Sequence, residues 1–254
     1  MDHLYRVATR DDTFHAVQRD GVLLRISGDP FGAYTAGVPV DGGLARVRVL
    51  PPVLPSKIVC VGLNYTDHAA EMGKALPAEP LLFMKPSTAV IGTGDVIRLP
   101  PGVGQVHHEA ELGIVIGRRA HRVPRARALD VVLGFTCVND VTARDLQQKD
   151  VQYTRAKGFD TFAPIGPCVA IDRTDAPRRV EGWVNGERRQ ASDTGRLIFG
   201  LAALIEFVTF VMTLEPGDII STGTPSGVGP LVGGDVVKVQ VEGIGELSNP
   251  VEQE

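Results

Sequence analysis

Residues 106–117, VHHEAELGIVIG, change character halfway along. The first half alternates polar and apolar side chains and the second is continuously apolar, the pattern of a strand running into a protein core. Alternate residues of a strand share a face, so His107, Glu109 and Glu111 point one way and His108, Ala110 and Leu112 the other. Two carboxylates about 7 Å apart along a strand, beside an apolar run, repel each other and lose hydration. A cation answers both costs. Oxygen ligands with no thiolate suit Mg²⁺ or Mn²⁺ better than zinc, and no H-E-x-x-H pattern is present. The spacing alone also allows a solvated polar strand face.

Two further polar clusters flank this strand in sequence. Asn139-Asp140-Val141-Thr142-Ala143-Arg144-Asp145 lies where a strand over Phe135–Asp140 gives way to a helix from Ala143 to about Gln148. There Asp140 is either a third carboxylate for the same ion or the N-cap of that helix. Upstream, Tyr65–Met72 reads as one or two helical turns ended by Gly73. On a helix His68 and Glu71 share a face, and a carboxylate at that spacing orients an imidazole and stabilises its charged form. A plain surface pair at the same spacing is the alternative.

Elsewhere Pro and Gly punctuate many short β-like runs. Asp20-Gly21 and Asn185-Gly186 mark hairpins over 14–26 and 180–191. Lys57–Gly62, Leu81–Lys85 and Ala89–Leu99 read as extended, Pro124–Leu133 as a helix, and 197–213 as a second, buried helix. The stiff segment PPVLP at 51–55 predicts a boundary between a small N-terminal β domain, 1–55, and a main domain, 56–254. Strands and helices do not alternate regularly, so the expected class is α+β, built mainly on antiparallel or mixed sheet.

Several functions are disfavoured by composition. A net charge of −4 and no run of more than two basic residues argue against nucleic acid as a partner. LIFGLAALIEFVTFVMTL at 197–214 approaches membrane-spanning length, but Glu206 and Gly200 interrupt it, so a core helix is expected and no membrane partner. Cys60, Cys137 and Cys168 sit in apolar contexts without a C-x-x-C pair, which predicts buried reduced thiols and, with a charged N-terminus, a cytoplasmic protein. GTPSGVG at 223–229 is glycine-rich yet lacks the Gly-Lys-Ser/Thr ending of a nucleotide loop. Its backbone N–H groups remain suited to a carboxylate.

Taken in order, VGLNYTDHAAEMG (61–73), LLFMKPSTAVIG (81–92), VHHEAELGIVIG (106–117), VNDVTARDLQ (138–147), KGFDTFAPIGP (157–167), VNGERRQ (184–190) and LEPGDIISTGTPSGVG (214–229) resemble the fumarylacetoacetate hydrolase superfamily. The likeness covers essentially all of 56–254. It is nearest to the bacterial branch of homoprotocatechuate-pathway isomerases and decarboxylases, which serves aromatic catabolism, and to the related acylpyruvate hydrolases. It implies a β-rich roll of layered sheets, usually a homodimer, with one Mg²⁺ or Mn²⁺ per chain held by Glu109, Glu111 and Asp140. It further implies Lys157 beside the ion and the bound enolate, Arg144 and Gln147 on a substrate-facing helix, and Thr224 meeting the carboxylate of a small 2-oxo acid substrate. In the acylpyruvase-like branch the equivalents of His68 and Glu71 lie on a mobile lid and activate water, and Gly73 is the expected hinge here.

The implied activity is isomerisation or decarboxylation of a 2-oxo or 2-hydroxy-dienoic dicarboxylate, as in 2-hydroxyhepta-2,4-diene-1,7-dioate isomerases and 5-oxopent-3-ene-1,2,5-tricarboxylate decarboxylases. The alternatives are an acylpyruvate hydrolase or oxaloacetate decarboxylase cleaving a C–C bond, and a non-catalytic scaffold that binds metal and oxo acid.

Overall fold

Ala110–Ile116 is buried along its whole length because it is a central strand with both faces covered. It pairs antiparallel with Val132–Asn139 on one side and with Ile219–Ser221 on the other. In the structure, a computed structural model describing residues 1–254, these strands sit in the middle of a twelve-stranded mixed sheet. From Ile219–Ser221 the sheet continues through Lys57–Gly62, paired parallel, to an edge at Leu81–Pro86. From Val132–Asn139 it continues through Ala163–Ile171. A five-stranded sheet that includes Arg179–Val184, Val236–Val241 and Gly245–Gln253 closes over it. The main core fills the space between, with Leu112, Ile114 and Ile116 packed among Val239, Val241 and Leu247. Leu204, Ile205 and Val208 of the helix Leu201–Val211 join the same core. The result is the expected strand-rich roll with few helices.

The segment expected as a separate N-terminal unit is built on this same sheet. Asp2–Ala8 pairs antiparallel with Ala163–Ile171, and Thr13–Arg19, Val22–Gly28 and Tyr34–Pro39 extend it outward. The Asp20-Gly21 and Asn185-Gly186 turns fall where the sequence places them, all four residues at positive φ. After the stiff 51–55 segment the chain is fastened by Asp218. This wholly buried carboxylate accepts from the Ser56 and Lys57 backbone N–H groups at 2.9 and 3.2 Å, from Ser56 Oγ at 2.7 Å and from Lys57 Nζ at 2.5 Å.

Burial opposes charge on Asp218, but these donors and the Glu215 N–H outweigh it and hold the carboxyl below its ordinary range. A depressed folded value stabilises the protein above the unfolded value, about 3.9, and that contribution is lost as pH falls through the folded value. The stability gap between wild type and Asp218→Asn is therefore expected to be wide at pH 7 and to narrow in strong acid. Urea unfolding at both extremes measures it, and a gap independent of pH contradicts the assignment.

Three elements differ from the sequence reading. The strand expected over 106–116 breaks at Glu109: Val106–His108 leaves the main sheet and pairs with Thr142–Ala143 and Gly229–Leu231 in a small separate sheet. The helix expected over Pro124–Leu133 is a 3₁₀ segment, Arg125–Val131, because the central sheet takes the chain from Val132 onward. The buried helix begins at Leu201, since Asn64 captures the residues before it. Asn64 O and Oδ1 accept from the Ile198 and Phe199 N–H groups, both at 2.8 Å. At 11 residues this helix is far short of a membrane span, and no helix of the chain is long and apolar enough to be one. All three cysteines are buried and free, as expected.

Candidate active site

The break at Glu109 builds the site. Antiparallel register sets Ala110 opposite Asn139, and the Asp140 N–H donates to Glu109 O at 2.9 Å, so Glu109 and Asp140 face each other across two strands. Glu111, two residues on, brings its carboxylate to the same place. The three carboxylates are buried, and one oxygen from each lies within 4.8 Å of the others. Two residues to which the sequence assigns no role lock the corner. Asn139 Oδ1 accepts from the Glu109 N–H at 3.0 Å. Gln190 Oε1 accepts from the Ala110 N–H at 2.9 Å, and its Nε2 donates to Thr224 Oγ1 and Pro225 O at 2.8 Å.

Cations reach two of the carboxylates and not the third. Glu109 accepts from Arg144 Nη2 at 2.6 Å and from Lys157 Nζ at 2.9 Å. Asp140 accepts from Lys157 Nζ at 2.6 Å and from Lys85, an unexposed ammonium that also donates to Val141 O. Burial alone would raise the Glu109 carboxyl, but Lys157 and Arg144 outweigh it and hold it well below the usual range. Burial likewise opposes charge on Lys157, and Asp140 and Glu109 outweigh that, keeping it an ammonium.

Glu111 has only neutral donors, Ser221 Oγ at 2.5 Å and the Gly223 N–H at 2.9 Å. Burial, then the charges of Asp140 and Glu109, push its carboxyl up to about 8. A buried carboxylate without a cation, beside two others, is the arrangement a hard divalent ion relieves. One oxygen from each of the three lies within 4.8 Å of the others, close enough for all three to converge on a single ion. The residues present fit such an ion.

Lys85 could have been suspected from the sequence: a lysine in LLFMKP, a run read as extended, must face either solvent or a paired acid. Gln190, Ser221 and Asn139 carry no comparable signal, because their roles depend on strands and loops distant in sequence.

The cluster forms the floor of a cavity of about 550 Å³. Among its lining residues are Glu109, Glu111, Lys157, Arg144, Gln147, Thr224, His68 and Glu71, so eight of the nine predicted site residues meet at one cavity, with Asp140 behind the floor. His107 lines it too, while His108 turns away to pair its Nδ1 with Gln190 Oε1 at 3.1 Å. Gln147 Oε1 accepts from Arg144 Nη1 at 2.6 Å, which fixes both side chains on the helix Arg144–Lys149.

The helix Thr66–Glu71 supplies another part of the cavity wall. His68 Nδ1 lies 2.9 Å from Glu71 Oε2, leaving Nε2 as the ring's other nitrogen. The helix is seated in this structure: Ala69 is buried, and Glu71 Oε1 accepts from the Gly227 N–H at 3.1 Å. The 223–229 loop thus directs its backbone donors to the protein's own carboxylates, Gly223 to Glu111 and Gly227 to Glu71. Both glycines have positive φ and no room for a Cβ: it would lie 2.8 Å from Asn64 Cβ at Gly223 and 2.1 Å from Arg189 O at Gly227. The Thr224 hydroxyl is engaged as well, donating to Ala110 O at 2.9 Å and accepting from Gln190.

Curled sheets that gather buried acids and ammonium groups at a cavity also lined by an imidazole–carboxylate pair define this protein as an enzyme. Residues 57–252 match the model for the fumarylacetoacetate hydrolase C-terminal domain, and the chain belongs to that family. A 2-hydroxyhepta-2,4-diene-1,7-dioate isomerase from Mycobacterium marinum has a similar structure, with a TM-score of 0.92 and 43% identity over 100% of this chain and 99% of that one. A fumarylacetoacetate hydrolase from the psychrophile Exiguobacterium antarcticum gives 0.88 and 33%, covering all of both chains. In sequence, an uncharacterised protein of Archaeoglobus fulgidus is 55% identical over 206 residues, 81% of this chain and 82% of that one.

Proposed function

We propose that this chain is a Mg²⁺- or Mn²⁺-dependent enzyme that isomerises or decarboxylates a small 2-oxo or 2-hydroxy-dienoic dicarboxylate, working as a homodimer. The observation that carries the reading is the meeting, at one cavity, of a buried carboxylate–ammonium cluster and the His68–Glu71 pair. The isomerase named for the M. marinum structure supports the substrate class.

Glu109, Glu111 and Asp140 would hold the ion, which when bound supplies a Lewis acid for an oxo oxygen. Lys157 keeps a permanent positive charge at the floor, where negative charge develops on the C2 oxygen in any of these reactions. Arg144 and Gln147, already fixed on one another, orient the neighbouring carboxylate. Thr224 offers a ligand its backbone N–H, since its hydroxyl is committed within the chain. His68, held by Glu71, delivers or removes the proton at the substrate carbon.

The His68–Glu71 pair also favours a second reading, hydrolysis of an acylpyruvate, in which His68 takes a proton from water. Turnover of oxaloacetate, acetylpyruvate and a 2-hydroxy-dienedioate, with and without Mg²⁺, decides between them. Consumption of the dienedioate or oxaloacetate only when Mg²⁺ is present is expected. Consumption of acetylpyruvate alone assigns the chain as a hydrolase, and no turnover of any of the three contradicts both readings.

A further inference from the structure

Three cations with long side chains line the cavity, and two of them are already paired. Lys157 is bound to Glu109 and Asp140, and Arg144 to Glu109. The third, Lys74, has no carboxylate within ion-pairing distance and no side-chain hydrogen bond. Its side chain is exposed, but its backbone is held. The Lys74 N–H donates to Ala69 O at 3.0 Å and the Gly73 N–H to Ala70 O at 3.1 Å, with Gly73 at φ +61°. This is the Schellman closure of the helix that bears His68 and Glu71. The backbone of Lys74 is thereby fixed to the catalytic pair, and a force on its ammonium acts on that helix. Met72, Leu81 and Phe83 line the same cavity and give it apolar wall.

We infer that Lys74 binds the carboxylate remote from the 2-oxo end of the substrate, and that this contact holds the His68–Glu71 helix over the reacting carbons. The inference rests on the proposed 2-oxo acid chemistry and narrows it. The ligand is an anion at both ends with an apolar or unsaturated chain between, the length set by the span from the carboxylate floor to Lys74. Lys74 is then a specificity-determining residue that also positions His68.

Calorimetric titration of the Mg²⁺-supplemented protein with pyruvate, 2-oxoglutarate and 2-oxoadipate tests this. Lys74→Gln is expected to weaken binding of the better dicarboxylate roughly three- to tenfold, the range for a partly exposed contact to a charged group. Pyruvate affinity should stay unchanged, and Lys74→Arg should restore most of the loss. Hydrogen exchange over 66–74 should slow with the dicarboxylate in the wild type and less so in Lys74→Gln. Equal weakening for pyruvate, or no weakening for either dicarboxylate, overturns the assignment. Binding of none of the three by the wild type is a different result, and it overturns the proposed function along with the subsite.

Discussion

Replacing Glu111 with alanine is expected to weaken Mn²⁺ and Mg²⁺ binding by more than about 100-fold, beyond the 10–100-fold typical of losing an outer-shell partner. Glu111 makes the cleanest variant because no cation of the chain pairs with it. Loss of Glu109 strands Arg144 and takes one of the two carboxylates of Lys157, and loss of Asp140 strands Lys85, which adds a folding penalty to the lost ligand. Removal of Glu111 leaves only the Ser221 hydroxyl and the Gly223 N–H without an acceptor. Titration calorimetry on the folded variant measures the change, and wild-type affinity in Glu111→Ala would end the carboxylate-cluster assignment.

The same residue sets a pH dependence. Without an ion, burial and the charges of Asp140 and Glu109 push the Glu111 carboxyl from 4.5 up to about 8. Between those values the folded, ion-free chain binds a proton that the unfolded chain has released, so its stability falls as pH rises through this window. Ion binding needs the ionised form, so affinity should climb with pH toward about 8 and then level off. Unfolding of the chelated protein at pH 5 and pH 8 should show the loss, and ion-loaded protein should show much less of it.

The second large effect is expected from His68→Ala, a fall in kcat of about 10²–10⁴-fold, the usual contribution of a positioned acid–base group. Metal affinity should change little, because His68 is not one of the residues that converge in the carboxylate cluster. Glu71→Gln should reproduce part of the loss. It keeps a hydrogen bond to Nδ1 but removes the carboxylate charge beside the ring. Retention of wild-type kcat on every substrate by His68→Ala removes the pair from the mechanism. Loss confined to acetylpyruvate marks it as the water-activating group of a hydrolase.

Much of the site was legible because its residues lie in short runs with local logic. Glu109 and Glu111 are two apart where a strand begins, His68 and Glu71 three apart on a helix, and Arg144 and Gln147 three apart on another. The β-rich class and both two-residue turns were legible for the same reason: alternation and Asn-Gly or Asp-Gly pairs act over a few residues. The spacing could not separate a solvated strand face from a buried cluster. Burial of Glu111 comes from Ser221 and Gly223, 110 and 112 residues further along the chain.

Local patterns along the chain are enough for the strand-rich class, the turns and the identity of the acids, bases and cations that the cavity collects. Tertiary structure alone decided the break at Glu109, where strand partners on either side pull the chain into two different sheets. It decided that Lys85 is a buried counter-ion of Asp140, that Gln190 ties the carboxylate strand to the 223–229 loop, and that Asn64 delays the start of a helix more than a hundred residues away. The physical reason is common to all three. A buried polar group must find its partner wherever the fold supplies one, and the register of distant strands that brings the partner there leaves no local trace in composition or periodicity.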